Sequence, residues 1–118
     1  MRVLIADDQK SVAETMAQMV TFCDHEAVGT VTTGGLDLIA AYDRLMPDVV
    51  IMDIHMPRLN GLTACHVLMT RTPMPKVIFF SGNYDSQHPF VLKAGASGFL
   101  AKPASVDQLR TVLAELAN

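Results

Sequence analysis

Five short, almost continuously apolar runs recur along the chain, at residues 2–6, 27–31, 48–53, 76–81 and 98–101, each followed by a segment that can form a helix. A run without polar alternation suits a strand buried on both faces, as in a parallel sheet covered by helices on either side. After the first run, Val12, Met16, Met19, Val20 and Cys23 recur at helical intervals. After the second, Thr33 is placed to cap a helix in which Leu36, Ile39 and Ala40 face inward, ending near Met46 because Pro47 follows. The third run leads to a helix from about Gly61 to Arg71 that presents Leu62, Cys65, Leu68 and Met69 and stops before Pro73 and Pro75. Ser105 and Gln108 form a capping box for a last helix that buries Val106, Leu109, Val112, Leu113 and Leu116. The fourth unit is less regular. Its connection reads G-N-Y-D-S-Q-H-P over residues 82–89, and since Pro is tolerated only in a helix's first turn, the sequence predicts a long loop and a short helix beginning near His88 or Pro89.

Strand-helix alternation without long connections implies right-handed crossovers and a doubly wound α/β fold, with helices on both faces of a five-stranded parallel sheet. With 118 residues, half of them hydrophobic, the chain can build one core and not two, so a single domain over residues 1–118 is expected. Nine Lys plus Arg against twelve Asp plus Glu leave a net charge of -3, with no basic patch for direct nucleic-acid binding. No apolar stretch approaches the ~20 residues that span a bilayer, and residues 1–6 enter a strand pattern instead of a signal sequence, so a cytoplasmic protein without membrane contact is expected. Cys23 and Cys65 fit no zinc spacing and read as reduced, packed thiols; His25, His55, His66 and His88 show no ligand spacing with them.

The candidate chemistry gathers at strand ends. Asp7 and Asp8 end the first strand, Asp53 the third and Ser81 the fourth, and Lys102 follows the fifth. Carboxyl ends of parallel strands share one edge of the sheet, which is where open α/β sheets bind ligands. If strands one and three are neighbours, three carboxylates share a small volume, an arrangement that requires a cation or a retained proton. Taken singly, each residue suits a bland role: Asp7, Asp8 or Asp53 as a turn or helix cap, Ser81 as a strand-end hydroxyl, Lys102 as a solvated charge. Taken together, an oxygen-only ligand set favours a hard ion, Mg²⁺ or Mn²⁺. A carboxylate beside such an ion, with a Lys and a hydroxyl nearby, suits phosphoryl transfer to an Asp side chain, with Asp53 as the acceptor.

The pattern Asp7-Asp8, then M-D-I-H-M-P-R-L-N-G around Asp53, then F-F-S-G, then K-A-G-A-S-G-F-L-A-K-P resembles the receiver domain of two-component response regulators over essentially the whole chain. The resemblance implies the flavodoxin-like sheet order 2-1-3-4-5. It further implies that Asp53 accepts a phosphoryl group from the phosphohistidine of a sensor histidine kinase or phosphotransfer protein. Asp8, Asp53 and the backbone carbonyl of His55 would bind Mg²⁺ directly, and Asp7 through water. Ser81 and Lys102 would each contact a phosphoryl oxygen, Phe99 would be the aromatic switch, and Lys102-Pro103 would be a cis peptide. Such a domain is regulatory, acting as an enzyme only in phosphotransfer to its own Asp and its slow loss. It would control a downstream protein or fused output domain and could form a phosphorylation-dependent homodimer through helix four, strand five and helix five.

Two positions depart from the commonest pattern. Ser81 stands where Thr is more usual, keeping the hydroxyl but losing the methyl that restricts its rotamer. Phe99 has no phenol, so only its packing could report a switch. His55 and Asn83 occupy positions that influence phosphoryl loss in the family, and neither carries a carboxylate to orient water. A phosphorylation-independent interaction module with the same fold is the alternative, opposed by the intact acidic cluster and Lys102. A haloacid-dehalogenase-like phosphatase would want D-x-D after its first strand, where this chain has Asp7-Asp8. A flavin site would want a hydroxyl-rich loop there, whereas Thr30 to Gly35 follows strand two.

Overall fold

A computed structural model describes residues 1–117. The order of elements is β1 (Arg2–Ala6), α1 (Lys10–Phe22), β2 (Glu26–Val31), α2 (Gly35–Leu45), β3 (Val49–Met52), α3 (Gly61–Leu68), β4 (Lys76–Ser81), α4 (Pro89–Ala94), β5 (Gly98–Ala101) and α5 (Val106–Leu116). The strands form one sheet in the order β2-β1-β3-β4-β5, every pair parallel. The doubly wound fold and its strand order are those expected.

Strand alternation splits the core into two halves. Val3, Ile5, Val49, Ile51, Ile78, Phe80 and Leu100 pack with Ala13, Met16 and Val20 of α1 and Leu109 and Leu113 of α5. Leu4, Ala6, Val50, Met52, Val77 and Phe79 pack on the opposite face with residues of α2, α3 and α4. Both faces of β3 are closed, and all four of its residues are buried. That is why its sequence shows no polar alternation.

The helices differ from expectation in detail. In α2 the buried residues are Gly35, Leu38, Ala41 and Tyr42, whereas Leu36 is 55% exposed, Ala40 is exposed and Ile39 is half-buried. This helix carries more than one apolar stripe, so periodicity left its phase open, and the hydrogen bond from Gly35 N to Leu59 O (3.0 Å) seats its first turn. Thr33 is not the cap. Gly34 occupies that position, with φ 127°, and the Thr33 hydroxyl donates to Asp37 instead. Helix α3 ends at Leu68 and not near Arg71: turn bonds from Thr70 N to Val67 O and Arg71 N to Leu68 O end the helix. The Arg71 guanidinium grips Asp43 through two nitrogens at 2.9 and 3.0 Å. In α5, Leu109 and Leu113 are buried, while Val106, Val112 and Leu116 are half-buried at its margin. Both halves of the Ser105–Gln108 capping box form. Helix α4 has six residues and starts at Pro89 behind the loop over residues 82–88, as the position of that Pro demands. Cys23 and Cys65 are buried free thiols. No helix among the described residues is long and apolar enough to cross a membrane.

Candidate functional site

The three strands β1, β3 and β5 deliver their charged residues to the same side of the sheet's carboxyl edge. The backbone ladder continues one residue past each strand: Asp7 N donates to Val31 O, Asp53 N to Ala6 O and Lys102 N to Ser81 O. Side-chain alternation therefore continues too, placing Asp7 with Val3 and Ile5, Asp53 with Val49 and Ile51, and Lys102 with Leu100. Ser81 has the parity of Val77 and Phe79 and belongs to the α4 side. Its hydroxyl oxygen, buried, accepts from Asn83 N at 3.2 Å.

Lys102 closes the constellation. Its Nζ lies 2.7 Å from Asp7 Oδ2 and 3.4 Å from Asp53 Oδ2. The second Asp7 oxygen accepts from Gln9 N at 2.9 Å, so Asp7, which is buried, anchors both the lysine and the turn after β1. Carboxylate oxygens of Asp7, Asp8 and Asp53 lie within 4.8 Å of one another. Around an octahedral Mg²⁺ adjacent ligands are ~3 Å apart and opposite ones ~4.2 Å, so side-chain adjustment can close these oxygens on a hard cation. The donor set, all oxygen, matches that ion and not a soft metal. Asp8 is the exposed member of the three and the one free of Lys102.

Burial raises the Asp53 pKa above the usual carboxylate range; the nearby Lys102 ammonium pulls it down, and Asp7 pushes it up again. Burial opposes the charge on Lys102, but hydrogen bonds and attraction from Asp7 and Asp53 prevail and raise its pKa. The site thus stores a lysine held ionised beside a carboxylate held at a disadvantage. A recess of about 300 Å³ opens over Asp53, walled by Asp8, Gln9, His55, Gly82, Asn83 and Lys102. A larger one of about 450 Å³, against Val12, Met16, Met19, Phe80 and Pro103, shares Lys102 as a wall and has no carboxylate. The carboxylates of Asp8 and Asp53 line the smaller one. The Lys102-Pro103 peptide is cis, and Nζ stands 5.1 Å from the Phe80 ring centroid.

The loop from Asp53 to Gly61 is fixed by main-chain N–H groups that donate to carboxylate, amide and carbonyl oxygens. His55 N donates to Asp53 Oδ1 at 3.3 Å, Gly61 N to Ile54 O at 2.7 Å, and Asn60 caps α3 through Thr63 N. A Cβ at Gly61 would stand 2.3 Å from the Asp53 carbonyl oxygen, and one at Gly35 would stand 2.2 Å from that of Leu59. Only glycine permits such approaches. Phe99, half-buried on β5 opposite Phe79, lines two surface cavities of about 210 and 360 Å³, one toward α4 and one toward α5. Gln9, Gly82 and Tyr84 were not singled out from the sequence. Tyr84 packs on the His55 ring from a loop that carries no periodicity to announce it.

The response regulator receiver domain family matches residues 3–114. The chain belongs to that family. The chemotaxis protein CheY of Listeria monocytogenes is 31% identical over the whole chain and 99% of its own length, and CheY of Thermotoga maritima is 36% identical over 86% of the chain and 85% of its own. Among solved structures, the response regulator domain of Thermotoga maritima CheB superposes with a TM-score of 0.82 at 30% identity, covering 98% of this chain and 91% of that one. As a receiver domain of two-component signalling, the chain is regulatory in class.

Proposed function

We propose that this receiver is a phosphorylation switch whose acceptor is Asp53 and whose functional unit is the single domain of residues 1–118. One observation carries the reading: a buried carboxylate whose ionised form is disfavoured lies 3.4 Å from an ionised lysine, at the floor of an acidic recess open to solvent. In the transfer, an Asp53 carboxylate oxygen forms a bond to phosphorus as the P–N bond of a phosphohistidine breaks and its electron pair returns to the imidazole. Lys102 balances charge on one phosphoryl oxygen, and Ser81 turns its hydroxyl proton toward another. Asp8, Asp53 and the His55 carbonyl would hold Mg²⁺ or Mn²⁺ directly, and Asp7 through water. When bound, that ion supplies the positive charge that the transferring phosphoryl group's oxygens require. Phe99 repacks between the two cavities beside it as Ser81 moves. The altered face of α4, β5 and α5 is offered to a protein partner, a fused output domain or a second copy of the chain. The donor is a sensor histidine kinase or phosphotransfer protein, which the receiver meets in the cytoplasm.

Incubation with Mg²⁺ and acetyl phosphate should add one phosphoryl group by mass, and Asp53→Asn should abolish the gain. Failure to take up phosphate from acetyl phosphate and from histidine kinases alike would refute the proposal.

A further inference from the structure

Three ring contacts run in series from the acidic recess to the start of α4. The His55 and Tyr84 ring centroids lie 5.3 Å apart, Tyr84 meets His88 edge-on at 4.6 Å, and His88 meets Phe90 at 5.1 Å. His88 is itself anchored, because its Nδ1 accepts from Phe90 N at 3.2 Å. At the other end, His55 is the only aromatic residue walling the recess over Asp53, and its backbone is tied to the Asp53 carboxylate. An exposed ring on a loop would otherwise sample several rotamers. Here Tyr84, half-buried and backed by His88, favours one.

We infer that Tyr84 is a positioning residue that holds the His55 ring as a wall of the recess and thereby sets the lifetime of the phosphoryl group on Asp53. The inference rests on the reading of Asp53 as phosphoacceptor. Loss of the phosphoryl group requires water to bond phosphorus while the bond from phosphorus to the Asp53 oxygen breaks. The electron pair returns to the carboxylate, and both water protons leave with the product as dihydrogen phosphate. The water must enter through the mouth formed by Asp8, Gln9, His55, Gly82 and Asn83, since the floor is closed by the buried strand ends. A fixed imidazole narrows that mouth. A freed one opens it for part of the time.

The test uses the intact chain phosphorylated with acetyl phosphate and Mg²⁺, freed of donor, and followed by mass as the phosphoryl group is lost. Tyr84→Ala should shorten the lifetime about two- to tenfold, the population change that loss of one ring contact allows. Tyr84→Phe, which keeps the ring, should retain the wild-type lifetime. In a His55→Ala background Tyr84→Ala should add nothing. Independently of phosphate, the ring-proton NMR shifts of His55 should move in Tyr84→Ala and hold in Tyr84→Phe. Equal lifetimes in wild type and Tyr84→Ala, an equal acceleration with and without the His55 ring, or unmoved His55 shifts would each overturn the inference while leaving Asp53 as acceptor. Absence of any uptake in the wild type would overturn the acceptor reading and this one with it.

Discussion

Replacing Lys102 with Met removes the ammonium and keeps most of the stem, so it isolates what the charge contributes. At an effective dielectric of about 20, the ammonium attracts Asp7 by about 6 kcal/mol at 2.7 Å and Asp53 by about 5 kcal/mol at 3.4 Å. Carboxylates no more than 4.8 Å apart repel one another by at least about 3 kcal/mol per pair on the same scale. These gross figures are offset by the cost of desolvating the lysine, which keeps 23% of its side chain exposed. A second argument sets a ceiling. Without Lys102 the cluster can relieve itself by taking up one proton, which at pH 7 costs about 4 kcal/mol for a carboxyl at the ordinary value of 3.8. Burial has already raised Asp53, so the ceiling is lower still. Lys102→Met should therefore destabilise the metal-free protein by about 2–3 kcal/mol, lowering the urea midpoint by roughly 1 M. Combining it with Asp7→Asn should show a coupling above about 1 kcal/mol in a double-mutant cycle. Since Lys102 is raised above its unfolded value of 10.5, its contribution is complete below that value and is lost as pH rises through the folded one. A variant within about 0.5 kcal/mol of wild type, or additive substitutions, would refute the argument that this lysine holds the cluster together.

Three further outcomes are expected. Asp53→Asn should stabilise the metal-free protein by about 1 kcal/mol at pH 7. Because the folded carboxyl binds its proton more tightly than the unfolded one, the advantage should fade in thermal melts as pH falls through the folded value toward 3.8. Mg²⁺ at ten times its dissociation constant should raise wild-type stability by about 1.4 kcal/mol, and Asp8→Asn should remove most of that increment in the same melts. Burial pushes the Cys65 thiol up to about 12 from 9.0, so it should resist iodoacetamide in the folded protein. Above pH 9 the unfolded thiol ionises and the folded one does not, so stability should fall as pH rises toward 12, and Cys65→Ala should flatten that slope.

The parallel sheet and its acidic edge were legible because burial on two faces leaves an unmistakable mark: β3 is four apolar residues and then Asp53. The short α4 was legible too, through a single Pro. The phase of α2 was not, since Gly-Leu-Asp-Leu-Ile-Ala-Ala-Tyr offers two apolar stripes and the choice is made by Leu59, distant in sequence. In the site, the strand-end residues Asp7, Asp53 and Lys102 could be placed by topology, but topology alone left Ser81 among them. Side-chain parity assigns it to the other side of the sheet edge. Tyr84 escaped notice because loop residues acquire partners through tertiary placement, which no local pattern encodes.

The seats of Gly35 and Gly61 against carbonyl oxygens have a consequence for how such a loop can change over generations. Main chain grips main chain there, through Gly35 N to Leu59 O and Gly61 N to Ile54 O, and no side chain between Asp53 and Gly61 takes part in either grip. The exposed side chain of His55 is thus released from holding the loop's backbone, whereas Arg58, at φ 67°, pairs with Asp37 at 3.9 Å. Inherited substitutions at His55 can retune the rim of the recess, while the backbone beneath keeps the address of its carbonyls.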